Sequence, residues 1–216
     1  MSRVVGIADL HGVLPPIPEC DLLVIAGDIC PDFSRDRGIA AIRQIEWLQD
    51  KYAEWERNVP AARILVTPGN HDWFPAFPRE LRSTMHIDEE VVVDGLRVWL
   101  TPWTPEFCGW NYMLGTRKDL AERFAMIPEG LDILVSHGPL HGVGDTNKER
   151  DHLGCYELRA AVQAKRPRHF YYGHIHEGTK GIGREWMLGY PMIHHASLSD
   201  HYPMLLKDAW MPVVHN

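Results

Sequence analysis

The sequence predicts an α/β fold built on a mixed sheet, and three observations lead there. Short strand-like runs alternate with helical segments. A hairpin signal interrupts that alternation, and each principal strand-like run ends in a polar group flanked by glycine or proline. In chain order, Arg3 to Ala8 (RVVGIA) and Leu22 to Ala26 (LLVIA) have the length and apolar character of buried strands. Ile39 to Arg57 carries Ile42, Ile45, Trp47, Leu48, Tyr52 and Trp55 at helical spacing, with charged residues between them. Arg63 to Thr67 (RILVT) is a further strand, stopped by Pro68-Gly69. Asp94-Gly95 lies between Val91-Val92-Val93 and the run Leu96 to Leu100; that pair tolerates the left-handed backbone of a tight hairpin turn. Thr116 is an N-cap residue for a helix over Arg117 to Met126, closed by Pro128. Leu131 to Ser136 and Arg168 to Tyr172 are strands, and Tyr156 to Lys165 is a helix. Beyond Ile182, Trp186, Leu188, Met192 and Ile193 fall in short β-like pieces.

A chain of 216 residues is long enough for one well-buried core and short for two. With no repeat or long linker in view, a single domain over residues 1–216 is expected. Hydrophobic residues at 45% and charged residues at 24% match a soluble globular protein. The apolar runs are far shorter than the ~20 residues that cross a bilayer, and Asp9 comes too early for a signal peptide. A cytoplasmic location with no membrane partner follows as the expectation. The net charge of −7 argues against long nucleic acids, whose non-specific binding needs a broad basic surface. A small anionic substrate stays open, because bound cations make a pocket positive within an acidic exterior. Cys20, Cys30, Cys108 and Cys155 form no CxxC pair and read as reduced, small-hydrophobe residues rather than a zinc site.

The chemistry lies after the strands. Asp9-Leu10-His11 follows the first, Gly27-Asp28 the second, and Gly69-Asn70-His71-Asp72 the third. His137-Gly138-Pro139 follows the fourth and Gly173-His174-Ile175-His176 the fifth. Open α/β sheets place their ligands at this end of their strands. Taken singly, DxH reads as a cap plus a surface histidine and GD as an ordinary turn; it is the ordered series that packing does not explain. His174 and His176, two apart in an extended segment, point to one side with Cα atoms about 6–7 Å apart. One metal ion could take both, or two adjacent ions one each.

The series Asp9-x-His11, Gly27-Asp28, Gly69-Asn70-His71-Asp72, His137 and Gly173-His174-x-His176 resembles the signature of the calcineurin-like metallophosphoesterases. TPWTPEFCGWNYM (Thr101 to Met113), ILVSHGPLHG (Ile133 to Gly142) and GCYELRAAV (Gly154 to Val162) resemble its metallophosphatase-domain-containing branch, which groups with the class III cyclic nucleotide phosphodiesterases. The resemblance implies a four-layer αββα sandwich with two mixed sheets and a centre of two divalent ions. Asp9, His11, Asp28 and His176 would hold one ion; Asn70, His137, His174 and the shared Asp28 would hold the other. Nitrogen and oxygen donors without thiolate suit Mn²⁺, Fe, Zn²⁺, Co²⁺ or Ni²⁺ better than Mg²⁺ or Ca²⁺, and of these Mn²⁺ is the expected cofactor. The implied reaction is in-line attack of a metal-bridging hydroxide on phosphorus. His71, beside Asn70 but no ligand in the family pattern, is the candidate acid, and Asp72 the candidate residue to orient it. Asn70, His71 and Trp73 are the candidate substrate contacts.

Around these groups, Trp73-Phe74 reads as a hydrophobic plug, with base stacking at the pocket mouth as the alternative. Trp103, Phe107 and Trp110 read as core or as a subunit contact, which leaves a homodimer as one assembly option. The polar segment His141 to Asp151 has the composition of a lid, and its Lys148 and Arg150 read as solvated charges. His194-His195 reads as core or surface, with orientation of metal ligands as the alternative. The expected function is hydrolysis of small phosphodiesters such as cyclic nucleotides. A phosphomonoesterase and a non-catalytic nucleotide-binding scaffold are the alternatives.

Overall fold

A computed structural model describes residues 3–176, 192–197 and 213–214. The strands are β1 (Arg3–Ile7), β2 (Cys20–Ala26), β3 (Ala61–Thr67), β4 (Thr84–Met85), β5 (Glu89–Val93) and β6 (Leu96–Thr101). Then come β7 (Thr104–Pro105), β8 (Met113–Leu114), β9 (Ile133–Ser136), β10 (His169–Tyr172), β11 (Met192–His195) and β12 (Val213–Val214). The helices are α1 (Arg37–Trp47), α2 (Ala53–Asn58), α3 (Arg117–Ala125) and α4 (Tyr156–Lys165).

Alternation of side chains along each strand builds the layers. Along β2, Leu23 and Ile25 point outward to Leu48 and Tyr52, while Leu22, Val24 and Ala26 point inward. Along β9, Ile133 and Val135 meet that inner cluster, while Leu134 faces outward to Leu158 and Val162 of α4. Three apolar interfaces therefore separate four layers: helices, sheet, sheet, helices. The first sheet runs β12-β1-β2-β3-β4 and the second β11-β10-β9-β6-β5. Each is mixed, parallel except for the antiparallel β12–β1 pair in one and the β5–β6 hairpin in the other. The sheets approach closely where Gly6 faces Tyr171, whose ring occupies the place of a Cβ at that position.

The hairpin turns at Asp94 (φ 49°) and Gly95 (φ 83°), both left-handed as the tight turn requires. Thr116 caps α3 by accepting from the Asp119 N–H. Cys155 caps α4 in the same way from Leu158, a role for a thiol that no sequence pattern announces. In the first helical segment Ile45, Trp47, Leu48, Tyr52 and Trp55 pack in or against the outer cluster as expected. A π turn over Leu48–Tyr52 joins α1 to α2, and the buried stripe runs through Ala40, Gln44, Leu48 and Tyr52. Ile42, expected on that stripe, is 63% exposed. Trp186 and Leu188 lie outside the described residues; among those described, no helix is long and apolar enough to cross a membrane.

Candidate metal centre and active site

The polar groups after β1, β2, β3, β9 and β10 converge at one end of the two sheets. Each chain turns sharply as it leaves its strand: Asp9 (φ 54°), His11 (φ 43°), Asp28 (φ 53°) and His174 (φ 73°) all hold left-handed backbone. Non-glycine residues pay strain for that conformation and keep it where surroundings over-determine it, as at functional sites. Gly173 is required for a different reason. A Cβ there would stand 2.5 Å from Asp9 Oδ2. Its absence lets the His174 N–H reach both Asp9 oxygens, at 3.0 and 2.9 Å.

The side chains form two adjoining ligand groups, Asp9 with His11 and His176, and Asp28 with His137 and His174. In the first, His11 Nε2 is 3.3 Å from His176 Nε2, and His176 Nε2 is 3.7 Å from Asp9 Oδ1. In the second, His137 Nε2 lies 3.5 Å from Asp28 Oδ2 and 2.8 Å from Asn70 Oδ1. Asp28 joins the groups, because the same Oδ2 is 3.8 Å from His11 Nε2. Donors around one ion with bonds of about 2.1 Å stand some 3–3.5 Å apart, so these spacings suit metal coordination. His137 Nδ1 donates to the Ala26 carbonyl at 2.8 Å, leaving Nε2 to bind a cation.

The charges lead to the same conclusion. Burial would raise Asp28, yet the imidazoles of His137, His71 and His11 hold its carboxyl far below the usual range. Asp9 is lowered likewise, burial being outweighed by His176 and His137. Two buried carboxylates demand a cation. Without a metal the proton goes to His137: burial disfavours it, but Asp28, Asp9 and the Ala26 carbonyl raise the imidazole to about 9. His174 stays neutral, pushed down to about 3 by burial and by the charge on His137. A divalent ion has to displace the His137 proton, so metal uptake releases a proton below about pH 9. Calorimetric titration with Mn²⁺ in buffers of different ionisation enthalpy should show that release. The apparent affinity should rise with pH from 6 to 8 by up to about tenfold per unit. Uptake without proton release would show that His137 does not bind the ion.

His71 stands beside this centre. Its backbone N–H donates to Asp28 Oδ1 at 2.7 Å, and its ring is 4.7 Å from that of His11. The pairing expected with Asp72 is replaced. His71 Nδ1 contacts Asp32 Oδ1 at 2.8 Å, while buried Asp72 accepts from the N–H groups of Ile29, Cys30 and Gly69. Asp72 is thus a tie between two loops, its side chain folded back on the turn that its own N–H closes to the Gly69 carbonyl at 3.2 Å. Burial and the Asp28 charge push its carboxyl up to about 6. His71 is raised: burial lowers it, but the bond to Asp32 and the charges of Asp28 and Asp32 prevail. His11, Asp32 and His71 also lie close enough to share a cation. With Asp32 exposed and bonded to His71, the arrangement fits an oriented acid better.

Further residues support the His71 loop. Gln44, fully buried on α1, donates to the His71 carbonyl at 2.8 Å and accepts from the Trp73 N–H at 2.6 Å. Asn111 reaches the same loop twice, through its N–H to the Asn70 carbonyl at 3.2 Å and its side chain to the Asp72 carbonyl at 2.7 Å. The Trp110 ring lies 4.2 Å from that of His71. Of the aromatic pair, Phe74 is the buried plug, whereas Trp73 remains at the surface under Arg37, 4.7 Å from its ring. Trp103 packs as expected, bonded to Asp88 and stacked by Arg123. Phe107 and Trp110 lie outside the core clusters and border the site.

The segment expected as a lid is tied down. Asp145 is buried at its centre and accepts from Gly142 N–H, Gly154 N–H and His152 Nδ1. Lys148 and Arg150 are exposed. His194 stacks on Tyr171, 4.4 Å between ring centroids, which is a packing role.

The family model for calcineurin-like phosphoesterases matches residues 2–178. The chain belongs to this family. As a calcineurin-like phosphoesterase it is 31% identical over 210 residues to Metallophosphoesterase domain-containing protein 1 of Homo sapiens, covering 82% of this chain and 61% of that protein. A UPF0046 protein of Caenorhabditis elegans, T07D4.2, is 33% identical over 100 residues, or 45% of this chain and 25% of the relative. The chain thus spans about three fifths of the human relative's length, 61%. One solved crystal structure superposes with a TM-score of 0.58 at 16% identity, over 89% of each chain, which supports the shared fold. Membership implies a metal-dependent phosphoesterase with a dinuclear divalent centre, and the donors assembled here fit one.

Proposed function

We propose that the protein is a phosphodiesterase that hydrolyses small phosphodiesters, cyclic nucleotides among them, with Mn²⁺ the preferred metal. One observation carries this reading: two histidine–carboxylate groups joined through Asp28 Oδ2, with a partnered imidazole, His71, at their edge. When bound, two divalent cations supply positive charge for the phosphoryl oxygens and lower the pKa of water. Asp9, His11 and His176 would hold one, and Asn70, His137 and His174 the other, with Asp28 shared. Asp32 accepts the His71 Nδ1 proton, which leaves Nε2 to carry the proton delivered to the departing oxygen. Gln44 and Asn111 keep the His71 backbone in place during that transfer. The preference for a diester rests on the branch resemblance and on the aromatic border of Phe107 and Trp110, a surface that a second ester group could contact. A small substrate also suits a chain of net charge −7.

The test is a comparison of initial rates on bis(p-nitrophenyl) phosphate and p-nitrophenyl phosphate after metal removal and reloading with Mn²⁺. Metal-dependent turnover that favours the diester supports the proposal. A preference for the monoester makes the protein a phosphomonoesterase instead. Two ions bound with no turnover of either ester would leave a binding scaffold.

A further inference from the structure

The loop between β7 and β8 carries a large apolar side chain that neither the core nor the ligand groups use. Phe107 is 48% exposed, and its ring centroid is 5.7 Å from that of His174. Trp110, on the same loop, stands beside His71 at 4.2 Å. The loop thus borders the site from the second ligand group to the candidate acid, with one aromatic ring at each end. Its backbone is held in place. Cys108 (φ 54°), Gly109 (φ 66°) and Tyr112 (φ 50°) fold it through left-handed turns. Asn111 bonds it twice to the loop of Asn70 and Asp72, and Arg37 donates to the Gly109 carbonyl. The Phe107 N–H contacts the Met113 sulfur at 3.4 Å.

A ring left in water costs free energy, and a ring already ordered loses little entropy when something stacks on it. The two ends of the loop differ in what they can serve. Trp110 gives a face to His71, so the departing oxygen, protonated by His71, belongs at that end. Phe107 is at the other end, beside His174, which assigns that end to the ester group that stays on phosphorus. A methyl or other small alkyl group there leaves the ring bare. A planar aromatic group covers it.

We infer that Phe107 is a specificity-determining residue that stacks the planar ring of the non-leaving ester group, so that the preferred substrates are nucleoside phosphodiesters rather than alkyl ones. The inference rests on the phosphodiesterase reading, and its test separates the two. Two substrates share a leaving group: the p-nitrophenyl ester of thymidine 5′-monophosphate and methyl p-nitrophenyl phosphate. The Mn²⁺-loaded wild-type protein should favour the nucleoside ester by about tenfold or more in kcat/KM, the size of one base–aromatic stack. Phe107→Ala should lose that advantage through KM and leave the methyl ester within about twofold. Phe107→Tyr should retain it. Equal losses on both substrates would mean that Phe107 only supports the loop, and no loss on either would mean that it contacts nothing; each overturns the inference. Binding gives a readout independent of turnover: calorimetry with thymidine 5′-monophosphate and with methyl phosphate. A nucleotide preference that Phe107→Ala abolishes supports the stack even in a protein that hydrolyses neither ester, in which case only the phosphodiesterase reading fails. Equal affinity for both ligands in the wild-type protein sinks the stack alone.

Discussion

Asp28→Asn should lower kcat/KM on bis(p-nitrophenyl) phosphate by about a thousandfold or more and reduce bound metal from two ions to one or fewer. Asp28 Oδ2 faces both ligand groups, 3.8 Å from His11 Nε2 and 3.5 Å from His137 Nε2. The other oxygen accepts the His71 N–H at 2.7 Å. An amide oxygen can occupy the same volume and even keep that hydrogen bond. It cannot supply the negative charge that two adjacent divalent cations need to lie close together. The loss is therefore electrostatic rather than steric, and metal analysis separates it from misfolding. A variant that folds, keeps two ions and retains more than a tenth of the activity would remove Asp28 from its bridging role.

His71→Asn is the second large effect, and its size should depend on the leaving group. General acid catalysis is worth about 10²–10⁴-fold when the departing oxygen needs a proton. An alkoxide needs one; p-nitrophenolate, stable at neutral pH, hardly does. The variant should lose a hundredfold or more on a cyclic nucleotide, whose leaving group is a sugar hydroxyl, and less than about tenfold on bis(p-nitrophenyl) phosphate. Asp32→Asn should follow the same pattern at smaller amplitude, since the His71 ring would keep its Trp110 contact and lose only its Nδ1 partner. Metal content should stay unchanged in both variants. Equal losses on the two substrates would assign His71 to phosphate or metal binding instead of proton delivery.

The contrast between Asp32 and Asp72 shows what a sequence reveals about such a site. Asp9, His11, Asp28, Asn70, His137, His174 and His176 are legible because each sits in a short polar group directly after a strand-like run. The strand carries the group to the sheet end whatever the rest of the chain does. The αββα layering came from the family resemblance, since Leu22–Ala26 and Ile133–Val135 are apolar throughout and by themselves show only strands buried on both faces. The partner of His71 is not encoded locally. Asp72 is its neighbour in the chain, yet the contact is made by Asp32, 39 residues away. Asn111 and the Asp72 carbonyl are likewise 39 residues apart. Gln44 did leave a trace, as the polar residue four positions from both Ala40 and Leu48, but its bonds to the His71 loop join residues 27 and 29 apart in the chain.

The sequence by itself determined which histidines and carboxylates meet at the sheet ends, because side-chain identity and strand-end position are properties of short segments. Only the tertiary structure decided which oxygen faces both ligand groups, which carboxylate orients His71, and that Phe107 borders the site instead of entering the core. These depend on where loops from different layers meet. Small backbone rotations set that meeting, among them the left-handed turns at Asp28, His174 and Cys108, and residue identity alone does not specify them.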